Sequence, residues 1–130
     1  MLPSQPVVAI VDDDVSIQRA LTRLLYTVSL RAVAFTSAEA FLQTGMQAAL
    51  DCLVLDVWLP GMTGIELLEH LVAMGSTLPV VIITGRDDLQ MRMRAMQAGA
   101  VAYFLKPLDG QEFLQAIQEA LDGRRLSDSS

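Results

Sequence analysis

Residues 52–64 have the sequence CLVLDVWLPGMTG, which combines a strand, a turn and the start of a helix. The apolar run over residues 52–55 is typical of a buried β-strand, and it ends in one carboxylate, Asp56. A Leu-Pro-Gly turn follows, and Thr63 and Glu66 then have the spacing of a capping box at a helix N-terminus. A lone acid at the end of a buried strand indicates a site that uses its charge.

Four more apolar runs of strand length occur in the chain, and a segment of helical periodicity follows each one. The predicted strands cover residues 7–11, 31–35, 52–55, 79–83 and 101–105. The predicted helices begin at Asp14, at a capping box of Thr36 and Glu39, at Thr63, at Asp87 or Asp88 and at Asp109, and four of them end near Gly45, Gly75, Gly99 and Gly123. Apolar strands that alternate with amphipathic helices predict an α/β domain, with a five-stranded parallel sheet covered by five helices on both faces.

The helix that follows residue 88 is apolar on two opposite sides. The side that we assign to the core carries Leu89, Met93 and Met96, and the other side carries Met91, Ala95 and Ala98. Only one apolar side is needed to pack against the core, so the second indicates a surface that binds a partner. Methionine, which is an adaptable contact residue, suits such a surface. The alternative is a helix that is buried on both sides.

The composition favours one soluble domain in a reducing cytoplasm. A chain of 130 residues has the size of a single domain, and its net charge of −6 argues against nonspecific binding to nucleic acid or anionic membrane. The single cysteine excludes an internal disulfide, and no apolar run approaches the roughly 20 residues that span a bilayer. We interpret residues 1–123 as the domain and residues 124–130 as the start of a polar linker toward a separate output domain.

Polar side chains follow four of the five predicted strands. They are Asp12, Asp13 and Asp14 after the first strand, Asp56 after the third, Thr84 after the fourth and Lys106 after the fifth. Ligands of a parallel sheet bind beyond the carboxyl ends of its strands, so these groups are predicted to meet at one edge. The second strand is followed by nothing comparable, and we expect it at the margin of the sheet.

Carboxylates that meet at this edge repel one another, at a cost on the order of 4 kcal/mol for a pair about 4 Å apart in an effective dielectric near 20. A hard divalent cation resolves the repulsion, and carboxylates are typical ligands of Mg²⁺. We therefore predict that Asp12, Asp13 or both bind Mg²⁺ with Asp56, whereas Asp14 caps the helix.

Lys106 is the only lysine in the chain, and its compact ammonium suits a carboxylate or phosphate partner. A solvated surface charge is the alternative. The hydroxyl of Thr84 either donates to an anionic oxygen beside Asp56 or merely ends its strand.

In order and spacing these residues resemble the receiver domain of bacterial two-component response regulators, over residues 7–122. The matching segments are VDDD (11–14), LDVWLPGMTGIELL (55–68), VVIITG (80–85) and AMQAGAVAYFLKPL (95–108). The phrases FTSAEAFL, ITGRDD and AGAVAYFLKP are similar to the FixJ-type branch, whose members are commonly transcription factors with a C-terminal helix-turn-helix domain.

The resemblance implies a flavodoxin-like receiver fold with strand order 2-1-3-4-5, and phosphoryl transfer from a partner sensor histidine kinase to Asp56. Asp12 and Asp13 match the acidic pair that holds Mg²⁺ together with Asp56. The backbone carbonyl of Trp58 would be a further ligand of the metal. The family promotes its own phosphorylation and dephosphorylation and is not otherwise an enzyme.

The remaining carried-over residues concern the switch. Thr84 matches the switch hydroxyl, Lys106 the phosphate-pairing lysine and Tyr103 the aromatic residue whose rotamer reports the state, and the bond before Pro107 is expected to be cis. We predict phosphorylation-dependent homodimerisation through the helix after residue 88, with DNA bound only through a separate output domain and with no membrane partner. Trp58 and Arg86 lie at positions where the family varies, and we predict that the bulky Trp58 hinders attacking water and lengthens the life of the phosphorylated state.

Two other functions fit parts of the pattern. A Mg²⁺-dependent aspartyl-phosphate hydrolase would also use an acid such as Asp56, but such enzymes carry a second aspartate two residues later, where this chain has Trp58. A phosphorylation-independent interaction module of the same fold is the second alternative. The complete set of site residues argues against it.

Overall fold

The computed structural model describes the backbone of residues 5–128 and the side chains of residues 5–124. Its elements in chain order are β1 (Val7–Val11), α1 (Val15–Tyr26), β2 (Arg31–Phe35), α2 (Ala38–Gln43), a short 3₁₀ helix (Gln47–Ala49), β3 (Cys52–Asp56), α3 (Gly64–Ala73), β4 (Val80–Thr84), α4 (Leu89–Gln97), β5 (Ala102–Leu105) and α5 (Gly110–Asp128). The predicted strand–helix alternation is confirmed, with β4 and β5 each starting one residue later than predicted.

All four strand pairings are parallel, and the sheet has the order β2-β1-β3-β4-β5. This confirms the predicted fold and the marginal position of the second strand. The three inner strands are almost completely buried, because their side chains alternate between two cores. Leu53 and Leu55 face the core formed with α2, α3 and α4, whereas Cys52 and Val54 face the core formed with α1 and α5.

The assignment of the two apolar sides of α4 was wrong. Ala95 is fully buried, and Met91 and Ala98 pack against the core. The side predicted to face the core is instead the exposed one, with exposed fractions of 70% for Leu89, 53% for Met93 and 48% for Met96. The small alanines allow the helix to approach the sheet closely, so the larger residues point outward.

Four of the five predicted helix starts are confirmed. Asp14, Thr63 (in its capping box with Glu66) and Asp88 cap their helices. Asp109 precedes α5 and accepts a hydrogen bond from the backbone N–H of Glu112. The predicted capping box of Thr36 and Glu39 was wrong. Ser37 caps α2 by accepting a hydrogen bond from the N–H of Ala40, which leaves the Glu39 carboxylate free for another partner.

Glycines end α2, α3 and α4 as predicted, since Gly45, Gly75 and Gly99 adopt positive φ angles of 64°, 83° and 97°. Gly123 does not end α5, which continues to Asp128. A physical reason is that Arg124, directly after this glycine, donates a 2.5 Å hydrogen bond to the carbonyl of Leu50 and ties the helix to the segment that precedes β3. The proposed linker therefore begins as helix over 124–128, and residues 129–130 lie outside the described residues.

Between residues 5 and 128, no helix combines the length and the apolar character that crossing a membrane requires.

Candidate functional site

The carboxyl edge of the sheet brings the predicted acidic and basic residues together. Asp12 follows β1, Asp56 ends β3, Thr84 ends β4 and Lys106 follows β5. The parallel register places these four strand ends side by side, since Val11 pairs with Leu55 and Thr84 pairs with Leu105. The site is therefore a product of the strand order.

Three carboxylates form a cluster at this edge. Asp12, Asp13 and Asp56 each offer an oxygen, and these oxygens lie within 4.8 Å of one another. Asp12 is 0% exposed and Asp56 is 5% exposed, whereas Asp13 faces solvent. Burial raises the pKa of Asp56, and the neighbouring charge of Asp12 raises it further.

Lys106 supplies one positive charge to the cluster. Its Nζ donates a 2.8 Å hydrogen bond to Oδ2 of Asp12 and lies 3.7 Å from Oδ2 of Asp56. Burial lowers the pKa of Lys106, but the hydrogen bond to Asp12 and the charges of Asp56 and Asp12 outweigh burial and raise it overall. The bond between Lys106 and Pro107 is cis, as the resemblance implied.

One ammonium beside three carboxylates leaves the cluster with an excess of negative charge. The donor atoms are all oxygens, the chemistry that a hard divalent cation prefers. The exposed Asp13 gives such a cation and its waters access from solvent. The residues present therefore fit Mg²⁺.

The backbone of Asp12 is fixed by contacts that the sequence analysis missed. Its N–H donates to the carbonyl of Phe35 at 3.1 Å, and its Oδ1 accepts a 2.8 Å hydrogen bond from the N–H of Asp14. Its carbonyl accepts a 2.7 Å hydrogen bond from Nε2 of Gln18, in the first turn of α1. No sequence pattern identified Gln18, because the bond joins a helix side chain to a distant backbone atom.

The loop between β3 and α3 is held at several points. The carbonyl of Val57 accepts a hydrogen bond from the N–H of Gly64 at 2.9 Å. Oε2 of Glu39 accepts a 2.9 Å hydrogen bond from the N–H of Met62, which lowers the pKa of Glu39. Glu66 similarly accepts from the N–H of Thr63 at 3.0 Å. Glu39 thus serves this loop instead of its own helix, which the sequence analysis did not foresee.

The hydroxyl of Thr84 is fully buried and bonds the backbone of Arg86. It donates to the carbonyl of Arg86 at 3.0 Å and accepts from its N–H at 3.2 Å. Nε1 of Trp58 donates to the same carbonyl at 3.4 Å, and the guanidinium of Arg86 lies 4.5 Å from the centroid of the Trp58 ring. One backbone carbonyl therefore joins the turn after Asp56 to the end of β4.

Tyr103 lies on the edge strand β5, beside Ile82 of β4. Its ring packs against the core on the side of α4, and its hydroxyl is buried without a hydrogen-bond partner among the described residues. Burial raises the pKa of Tyr103, with a further contribution from the charge of Asp87. The guanidinium of Arg92 lies 5.5 Å from the ring centroid. An unpaired buried hydroxyl is unfavourable.

Comparisons with known proteins agree with this geometry. The family model of the response regulator receiver domain matches residues 8–118. The chain is 41% identical over 122 residues to nodulation protein W of Bradyrhizobium diazoefficiens, an alignment that covers 94% of this chain and 54% of that protein. It is 35% identical over 120 residues to the transcriptional regulatory protein FixJ of Azorhizobium caulinodans, with 92% and 57% covered.

Among solved structures, that of the response regulator StyR superposes with a TM-score of 0.87 at 39% identity, covering 97% of this chain and 65% of that chain. The chain spans about half the length of the curated relatives it matches.

Proposed function

Because the chain belongs to the response regulator receiver family, on the FixJ-type branch of transcriptional regulators, we propose that Asp56 accepts a phosphoryl group from a partner sensor histidine kinase. The observation that carries this proposal is the buried acidic cluster, in which Asp56 lies with Asp12, Asp13 and the ammonium of Lys106. A carboxylate oxygen of Asp56 attacks phosphorus, the phosphorus–nitrogen bond of the phosphohistidine breaks, and the imidazole keeps the electron pair.

The surrounding residues offset charge during this transfer. We assign Asp12, Asp13, Asp56 and the backbone carbonyl of Trp58 as the ligands of Mg²⁺, which would neutralise charge on the phosphoryl oxygens when bound. Lys106, already 3.7 Å from Asp56, is within reach of a phosphoryl oxygen on that residue. Because Trp58 stands two residues after Asp56, where such hydrolases carry a second aspartate, the site favours a phosphoacceptor over a hydrolase.

The switch rests on Thr84 and Tyr103. A phosphoryl group adds nearly two negative charges, which the Thr84 hydroxyl meets by leaving the Arg86 carbonyl and donating to a phosphoryl oxygen. Its movement vacates space next to Tyr103, whose hydroxyl has no hydrogen-bond partner among the described residues and so does not anchor the ring in its present rotamer. The outcome is a population shift between two packings of α4 and β5.

The output surface comprises the exposed side of α4, namely Leu89, Met93 and Met96, together with Leu105 of β5. We propose that phosphorylation makes this surface competent for homodimerisation. We propose that the receiver acts in the cytoplasm and that DNA is bound only through a separate output domain, as in FixJ-type transcriptional regulators. An unchanged sedimentation coefficient after confirmed phosphorylation would contradict the dimer.

The experiment that tests the central proposal is intact-mass analysis after incubation with acetyl phosphate and Mg²⁺. We expect wild type to gain one phosphoryl group and Asp56→Asn to gain none. A chelator should also prevent the gain in wild type. No gain in wild type would instead favour an interaction module that does not use phosphorylation.

A further inference from the structure

Gln18 connects the first helix to the ends of two strands. Its Nε2 atom donates a 2.7 Å hydrogen bond to the carbonyl of Asp12 and a 3.2 Å hydrogen bond to the carbonyl of Phe35. Of the side chains in the described part of the chain, it alone donates to the backbone of residues 12–14. A primary amide has two N–H groups, so Gln18 can satisfy both carbonyls at once.

The hydrogen bond from Gln18 to the Asp12 carbonyl also constrains Asp13, whose side chain has no hydrogen bond of its own within the described residues. Asp12 and Asp13 share the peptide unit whose carbonyl accepts from Gln18, so this bond fixes the orientation in which Asp13 leaves β1. The side chain of Asp12 is also held by Asp14 and Lys106. The carboxylate of Asp13 is exposed and makes no hydrogen bond within the described residues, so its direction depends on its backbone.

We propose that Gln18 is a positioning residue of the Mg²⁺ site, which holds the Asp12–Asp13 peptide in the orientation that directs both carboxylates toward Asp56. The inference rests on the function proposed above. Gln18 is neutral, so it orders the acids without adding a charge that competes with the cation. It touches neither the phosphoryl group nor the metal and acts only through Asp12 and Asp13.

Two substitutions of similar shape separate positioning from simple electrostatics. Gln18→Met keeps the length of the side chain and removes both donors. Gln18→Glu also removes them and adds a negative charge near the site, which by electrostatics alone would tighten Mg²⁺ binding. Positioning predicts weaker binding for both, by about 10-fold, the lower range for loss of a residue that orients metal ligands.

The test is a Mg²⁺ titration followed by calorimetry and by the fluorescence of Trp58, the only tryptophan, which lies two residues after Asp56. Gln111→Met is the matched control, because Gln111 is an exposed residue of α5. We expect its Mg²⁺ affinity to equal that of wild type. Thermal unfolding without Mg²⁺ checks that every variant is folded before its affinity is compared.

A second measurement separates positioning from damage to the fold. At saturating Mg²⁺ both Gln18 variants should be phosphorylated by acetyl phosphate at nearly the wild-type rate, with only the half-saturating Mg²⁺ concentration raised. Unchanged affinity in Gln18→Met, or tighter binding in Gln18→Glu, would overturn the inference while leaving the proposed function intact. Failure of wild type itself to bind Mg²⁺ would contradict both this inference and the proposed function.

Discussion

Replacing Gly64 with alanine should disturb the residue that we propose as phosphoacceptor. A Cβ atom at this position would lie 2.0 Å from the backbone oxygen of Asp56, 2.8 Å from its carbonyl carbon and 3.1 Å from Cα of Val57. All three contacted atoms are backbone atoms at the buried end of β3, so no side chain can rotate away. Relieving this steric overlap requires the backbone to shift by more than about 1 Å at Asp56 or at the start of α3.

We expect Gly64→Ala to lower the free energy of unfolding by about 3 kcal/mol, the upper end of the usual cost of overpacking. This corresponds to a fall of roughly 10 °C in the melting temperature for a chain of this size. Gly123→Ala is the matched control. Apart from α5's own backbone and the neighbouring residues, no atom of the described residues lies within 4 Å of a Cβ at Gly123. Alanine there should be neutral or add up to about 1 kcal/mol to the free energy of unfolding through helix propensity.

Urea unfolding measures both stabilities, and the rate of phosphorylation by acetyl phosphate reports on Asp56. For Gly64→Ala we expect slower phosphorylation even at temperatures where the variant remains folded, because the carboxylate is displaced from its partners. A Gly64→Ala variant as stable as Gly123→Ala would refute the argument from close approach.

Three more predictions follow from single residues. Ser29 has a φ of 62° without being glycine, so Ser29→Gly should raise the free energy of unfolding by about 1 kcal/mol in urea unfolding, and a loss would contradict the strain. Trp58→Ala should speed the decay of the phosphorylated form, followed by intact mass, and an unchanged decay rate would refute the shielding role of the indole. Because burial raises the folded-state pKa of Asp56 above its ordinary value of 3.8, the ionised group destabilises the fold at neutral pH. Without Mg²⁺, Asp56→Asn should therefore be more stable than wild type at pH 7. This difference in stability should vanish as the pH falls below about 3.8, where Asp56 is protonated in both the folded and the unfolded wild type. A difference that stays constant with pH would contradict the prediction.

The sheet could be predicted because its strands are short apolar runs with a charge or hydroxyl at the carboxyl end. That one regularity predicted the strands and the cluster of Asp12, Asp56 and Lys106 before any distance was known. Parallel strands force their ends to one edge, so topology converts sequence order into proximity.

The errors have a different origin. The sides of α4 were reversed because both are apolar, and the periodicity does not say whether small or large residues face the sheet. The continuation of α5 through Gly123 depends on a bond from Arg124 to Leu50, far away in sequence. Gln18 and Glu39 were missed for the same reason, since a side chain that bonds a remote backbone atom leaves no periodic pattern.

The carbonyl of Arg86 has a consequence for engineering signal duration. It accepts from the Thr84 hydroxyl and from the indole of Trp58, so one atom serves both the residue proposed to switch and the residue proposed to shield. When Thr84 leaves, the carbonyl keeps the indole as a donor, and the cost of leaving depends on residue 58. We therefore expect a substitution at Trp58 to change two properties together: how long the phosphorylated state lasts and how readily phosphorylation converts the domain. In a sensor built on this domain, a substitution at residue 58 could not change the lifetime of the phosphorylated state without also changing the level of phosphorylation needed to switch the domain.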